Sequence, residues 1–230
     1  MNKFKKYKAI LLDIDDTLYS YKAAHKIALK NIIKFIVKNF LIDENLAKEL
    51  YEKARNKNHI NLRETAASHN RLIYFQYICE FLDVNPLKYG IKMYNLYWDN
   101  YLENIKPFKG IYDLLDKYRG NICLITDLTA YIQYKKIKKL KLHEYCNQIV
   151  TSEEAGKEKP NPFIFMLALQ KLKMDLKDVC MIGDNFNKDI IGANNLGIDS
   201  IWLNYKKKKN SYSNKSIREV SNFKQILRLI

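Results

Sequence analysis

The stretch Asp13-Ile14-Asp15-Asp16-Thr17-Leu18 follows the run Tyr7-Lys8-Ala9-Ile10-Leu11-Leu12. That run is apolar enough for a buried parallel strand. A strand that delivers three carboxylates and a threonine at its carboxyl end is not building a core, because buried unpaired carboxylates are costly. They persist where a metal or a substrate needs them. Alternation along an extended backbone puts Asp13 and Asp15 on the same side. Two carboxylates one pleat apart can share a divalent cation and divide the work, one attacking and the other moving protons.

Three later stretches carry further candidates. Asn121-Ile122-Cys123-Leu124-Ile125 is a second apolar run and ends in Thr126-Asp127. A threonine hydroxyl and the next backbone N–H can bind a phosphoryl oxygen. The loop Gly156-Lys157-Glu158-Lys159-Pro160-Asn161-Pro162 sets lysines at a helix start. There they oppose the helix dipole and call for an anionic partner. Asp178-Val179-Cys180-Met181-Ile182 ends in Gly183-Asp184, with Asp189 five residues on.

These residues need a scaffold, and the rest of the chain supplies its pattern. From about Tyr21 to Ile105 the periodicity is helical. Ile27, Ile32, Ile33, Ile36, Val37 and Phe40 mark a first helix. Asp43 caps a second, a third spans about Leu62 to Leu82, and Pro86 opens a fourth. After Pro107 and Gly110, apolar strand-like runs alternate with helices. Helices are expected near Ile111–Tyr118, Ala130–Leu140, Asn161–Leu172 and Lys188–Leu196, and strands at Asn121–Ile125, Asn147–Thr151, Asp178–Ile182 and Ile198–Leu203. Such alternation predicts a parallel α/β sheet with right-handed crossovers. Ligands in such sheets bind beyond the carboxyl ends of the strands. Asp13, Asp15, Thr126 and Asp184 all fall there.

The first stretch resembles motif I of the haloacid dehalogenase superfamily, a strand followed by D-x-D-x-T. Thr126 stands where that superfamily has its motif II hydroxyl. Lys159-Pro160 resembles motif III, and Gly183-Asp184 to Asp189 resembles motif IV. The four follow in the family's order and span residues 13 to 189. The resemblance implies a Rossmann-like five-stranded parallel sheet of order 5-4-1-2-3, built from residues 1–20 and 106–230. It also implies an α-helical cap, residues 21–105, inserted after motif I and expected over the strand ends. Asp13 would be the nucleophile and Asp15 the general acid/base, a residue that the dehalogenase and phosphonatase branches lack. The expected activity is therefore Mg²⁺-dependent hydrolysis of a small phosphorylated metabolite. Mg²⁺ would be held by Asp13, the Asp15 carbonyl and Asp184, with Asp189 behind them. Thr126, Asp127 and Lys159 would bind the phosphoryl group. Arg71, in the third helix, is a candidate contact to the rest of the substrate. Two alternatives stand beside this reading: a phosphomutase of the same fold, and a non-catalytic anion-binding or nucleic-acid-binding protein. A complete set of five motif residues argues against the second.

Composition bounds the remaining classes. The 230 residues are long enough for one or two domains with a real core. Forty basic against 25 acidic residues give a formal charge of +15. The lysines are spread along the whole chain with no recognition motif, so no nucleic-acid partner is expected. Lys206 to Lys209 read as a solvated loop. Cys79, Cys123, Cys146 and Cys180 form no C-x-x-C pair, which fits free thiols in a reducing compartment. The basic start, Met1 to Lys6, is followed by too short an apolar run for a signal peptide. No stretch approaches the ~20 apolar residues of a membrane span. A cytoplasmic monomer or homodimer without membrane contact is expected. His59 and His69 are too isolated to read as a metal site.

Overall fold

A computed structural model of the chain describes residues 6–210, 212 and 214–230. The basic start before Lys6 lies outside the described residues. The chain forms two compact units, Met1–Ser20 with Lys106–Ile230, and Tyr21–Ile105.

Strand β1 (Ala9–Leu12) leads through the Asp13–Thr17 turn into the helical unit. This unit holds α1 (Tyr21–Phe40), α2 (Glu44–Asn61), α3 (Arg71–Phe81) and α4 (Pro86–Glu103). The side chains of Asp43, Asn70 and Asn85 each accept N–H bonds at the starts of α2, α3 and α4, satisfying donors that a helix start leaves open. Asn70 also explains a correction. The third helix does not run from Leu62; a turn and a short 3₁₀ segment come first, and Asn70 starts α3 at Arg71. The interior of the unit is aromatic, with Tyr51, Tyr74, Phe75, Tyr97, Trp98 and Tyr101 buried.

The chain then returns through α5 (Ile111–Lys117), β2 (Ile122–Thr126), α6 (Ala130–Lys139), β3 (Gln148–Thr151), α7 (Ser152–Ala155), α8 (Pro162–Leu172) and β4 (Val179–Gly183). A π-helical turn, Phe186–Ile191, passes directly into α9 (Gly192–Asn194). It stands in place of the longer regular helix expected there. β5 (Asp199–Leu203), β6 (Ile217–Val220) and α10 (Phe223–Leu229) complete the unit.

Among the described residues the sheet has six parallel strands in the order β3-β2-β1-β4-β5-β6. The expected order is present, and the expected count of five is corrected by β6 on the β5 edge. β6 is short and carries Arg218 and Glu219, so its sequence lacks an apolar strand signal. Charged, short strands are how sheet edges are usually ended. One sheet face buries Ala9, Leu11, Cys123, Ile125, Val179 and Met181 against Ile164, Phe165 and Ala168 of α8. Leu12 pairs with Leu124 of β2 and Ile182 of β4. That register brings the ends of the three central strands level.

Candidate active site

The register sets Asp13, Thr126 and Asp184 at neighbouring strand ends. The Asp13 carboxylate is buried and fully engaged. Thr17 Oγ1 donates to its Oδ2 at 2.7 Å, and Lys159 Nζ donates to its Oδ1 at 2.7 Å. The same threonine oxygen accepts the Asp184 N–H at 3.0 Å. Thr17 thus ties the first strand end to the fourth.

Asp13, Asp184 and Asp189 each offer a carboxylate oxygen within 4.8 Å of the others, and all three are buried. Asp189 reaches this position because the residue opposite it is Gly183, where any Cβ would collide with the Asp189 carboxylate. Lys159 Nζ lies 2.7 Å from Asp189 Oδ1. That buried oxygen has the ammonium's charge beside it but accepts no hydrogen bond. Lys206 stands at the edge, 3.6 Å from Asp184 and 2.8 Å from Asp16. It is ion-paired, and so not the merely solvated loop lysine expected; Lys207, Lys208 and Lys209 are exposed.

The electrostatics follow from three acids crowded around one buried ammonium. Burial pushes the Asp13 carboxyl well above its ordinary range; Lys159 opposes this, and Asp189 and Asp184 add to it. Burial, then Asp189 and Asp16, push Asp184 up to about 7. Lys159 is raised well above the usual lysine range, because Asp13, Asp189 and Asp127 outweigh its burial. The cluster carries more negative charge than it can hold comfortably. Three hard oxygen donors with an unsatisfied atom among them suit a hard divalent cation.

Asp15 points elsewhere. Its carboxylate receives Lys136 Nζ at 2.7 Å on both oxygens, Gln133 Nε2 at 2.9 Å, and the Tyr19 hydroxyl. Burial alone would raise its pKa, but Lys136, Tyr19 and Gln133 bring it below the ordinary value. Thr126 Oγ1 is buried beside it and accepts Gln133 Nε2 at 2.8 Å. The Asp127 carboxylate faces the Lys159 loop, accepting the Lys159 N–H at 3.0 Å and Lys188 Nζ at 2.8 Å. Lys188 also reaches Glu158 at 2.9 Å, so Asp127 braces the segment that carries Lys159.

The structure therefore brings Asp13, Asp15, Thr126, Asp127, Lys159, Asp184 and Asp189 to one end of the sheet. It adds Thr17, Gln133, Lys136 and Lys188. Thr17 is visible as the last letter of the D-x-D-x-T pattern. The other three sit in polar, lysine-containing segments that give no signal of burial.

Arg71 belongs to the helical unit. It is 5% exposed and bonded to the His69 carbonyl and the Tyr21 hydroxyl. Its guanidinium lies against the rings of Tyr74, Tyr97 and Trp98 at 5.0, 5.4 and 5.8 Å. These neighbours explain its burial without a substrate. His59 and His69 are not isolated, since their rings lie 4.8 Å apart. No third metal-binding group joins them among the described residues.

A profile of the haloacid dehalogenase-like hydrolases matches residues 10–203, from β1 through β5. The chain belongs to that family. A ribulose-1,5-bisphosphate 5-phosphatase from Halopiger xanaduensis is 31% identical over 201 residues, covering 84% of this chain and 83% of that one. The pyrimidine 5'-nucleotidase YjjG from Escherichia coli is 30% identical over 205 residues, covering 86% and 87%. The fold of a haloacid dehalogenase-type phosphatase from Thermococcus onnurineus superposes with a TM-score of 0.74 at 19% identity, covering 97% of both chains. This haloacid dehalogenase-like hydrolase is of the phosphatase type. Its described helices include none long and apolar enough to cross a membrane, and its four cysteines are buried and in no disulfide.

Proposed function

We propose that this haloacid dehalogenase-like hydrolase is a Mg²⁺-dependent phosphomonoesterase. It acts on a small phosphorylated metabolite, a sugar phosphate or nucleotide, through a phosphorylated Asp13. The observation that carries the reading is the buried Asp13 carboxylate, fixed by Thr17 and Lys159 inside a cluster of acids. A nucleophile needs that fixity, and a core does not.

In the first step an Asp13 oxygen bonds to phosphorus and the ester P–O bond breaks. The leaving oxygen takes a proton from Asp15. In the second step water attacks the phosphorus and gives its proton to Asp15, which frees Asp13 and inorganic phosphate. Lys136 favours the charged, proton-accepting form of Asp15. Its surroundings therefore favour the second step more than the first. Lys159 and the Thr126 hydroxyl are the groups available to bind phosphoryl oxygens. Asp13, Asp184 and the Asp15 main-chain carbonyl would hold Mg²⁺, with Asp189 behind them. The ion, when bound, neutralises phosphoryl charge. The relatives named above are a phosphatase and a nucleotidase, which supports water as acceptor over a second sugar phosphate. Their substrates differ from each other, so the family does not select between sugar phosphates and nucleotides.

The test is release of inorganic phosphate from an aryl phosphate and from a panel of triose, pentose and nucleoside phosphates. Turnover should require Mg²⁺ and vanish in Asp13→Asn with an unchanged circular dichroism spectrum. An Asp13→Asn protein that kept more than a few per cent of turnover would sink the covalent mechanism. Faster cleavage of phosphopeptides or DNA 3′-phosphates than of every metabolite would overturn the substrate class.

A further inference from the structure

Helix α6 carries four lysines, and only one is buried. Lys136 is 1% exposed, whereas its partner Asp15 keeps about a quarter of its side chain open. Lysine is almost never fully buried unless paired. Here the pair joins residues 121 apart in sequence. The ammonium approaches Asp15 from the protein side and touches both oxygens at 2.7 Å. Contact with both oxygens fixes the plane of the carboxylate as well as its position.

Gln133 lies three residues earlier, on the same helix face. Its Nε2 reaches Asp15 Oδ2 at 2.9 Å, Thr126 Oγ1 at 2.8 Å and the Asp127 carbonyl at 2.7 Å. Its other terminal atom, Oε1, is buried with no hydrogen-bond partner. An orphaned buried acceptor costs stability that an apolar side chain would not. What the amide contributes lies at its NH₂ end, which links the first strand end to the second.

We propose that Lys136, assisted by Gln133, is a positioning residue that aims the Asp15 carboxyl for proton transfer. The assignment rests on the reading of Asp15 as the acid/base group. Lys136 acts through Asp15, without touching the phosphoryl group. In its absence Asp15 keeps, among the described residues, its Tyr19 and Gln133 contacts and swings over a wider range. Substrate binding, which uses other groups, stays the same. Turnover suffers, because small misplacements of a reacting group are costly.

The test uses the full chain with Mg²⁺ and compares Lys136→Met, Lys136→Arg, Asp15→Asn and the Asp15→Asn/Lys136→Met double variant. Lys136→Met should lower kcat on the order of 10²-fold with little change in KM. Because Lys136 favours the proton-accepting form of Asp15, the loss should fall on hydrolysis of the phospho-enzyme and be similar for alkyl and nitrophenyl phosphates, and Lys136→Arg should recover part of it. In the Asp15→Asn background the Lys136 substitution should cost nothing further. A folded Lys136→Met protein with wild-type kcat would overturn the assignment, and so would losses that multiply in the double variant. If Lys136→Met does not fold, Lys136→Arg, which keeps a cation beside Asp15, and the double variant, which removes both charges, still decide: a Lys136→Arg loss confined to KM would overturn the assignment. Asp13→Asn separates the two claims. Turnover by that variant removes the proposed function, whereas its inactivity beside an unimpaired Lys136→Met removes only the role of Lys136.

Discussion

The two units of this hydrolase both bury charge, with opposite surpluses. In the α/β unit Asp13, Asp184 and Asp189 gather around Lys159. In the helical unit Arg71 is buried with no ion pair among the described residues, and its Nε has no partner. Aromatic faces and two oxygens hold it instead. A guanidinium tolerates this because it is weakly hydrated and stacks on rings. Carboxylates have no such refuge and must find cations. The negative surplus therefore points to a ligand, while the positive one is absorbed by packing.

The largest effect that could break this contrast comes from removing the two cations in turn. Lys159→Met leaves Asp13 and Asp189 without their ammonium and should destabilise the metal-free protein by about 3–5 kcal/mol. Arg71→Met strands no acid, and the methionine keeps apolar contact with the surrounding rings. Its cost should be smaller. The two tryptophans fall one in each unit, so Trp98→Phe and Trp202→Phe backgrounds let urea unfolding be followed unit by unit. A larger loss for Arg71→Met would mean that its charge meets an acid after all.

The next largest effect should appear in the helical unit, in acid. His25 bonds to the Tyr97 hydroxyl at 2.8 Å and stacks on Tyr21. Burial first, then Arg71 and Arg55, push its imidazole down to about 4 from 6.5. The unfolded chain therefore binds the proton more readily than the folded one between those values. The stability this contributes is full above pH 6.5 and disappears as pH falls to about 4. The shift corresponds to up to about 3 kcal/mol, less what partial solvent access screens. Unfolding of the helical unit, read by Trp98 fluorescence across that window, should be steeper in the native protein than in His25→Gln. Parallel curves would show that His25 is not the group responsible.

Which parts of this are legible in the sequence follows from how far each residue's partner lies. Asp13, Thr126 and Asp184 each end an apolar run, and a polar residue there is conspicuous whatever it touches. The sheet order comes with the family resemblance, and the caps Asp43 and Asn161 act on their own helices. Lys136 is different. Lys135, Lys138 and Lys139 flank it on the same helix, and only Asp15, far away in the chain, distinguishes it from them. The burial of Arg71 is not legible because Tyr21, Tyr97 and Trp98, which enclose it, come from other helices. Ile217–Val220 becomes a strand through pairing with β5, which no local pattern announces.

The smallest predicted effect, and the one that sharpens the contrast most, is the pH dependence of cation binding in the α/β unit. Asp184 is pushed up to about 7 by burial and its acidic neighbours. Below that pH a proton occupies the oxygen that a cation needs, so binding must release it. Each unit of pH below 7 should weaken apparent Mg²⁺ affinity by at least about tenfold, or roughly 1.4 kcal/mol, since Asp13 is raised as well. Trp202 is placed to report this, since its Nε1 donates to the Asp184 carbonyl at 2.9 Å. Titrating Mg²⁺ into Trp98→Phe between about pH 5.5 and 8 gives the slope directly. Asp184→Ala should bind weakly at every pH, and Asp189→Ala should lose less, because Asp189 also serves the Asn185 N–H at 2.9 Å. The opposite order would exchange their roles. An affinity that did not change with pH would mean that Asp184 is already ionised without the metal. The surplus of negative charge would then be held by Lys159 and Lys206 alone, and the difference between the two units would vanish.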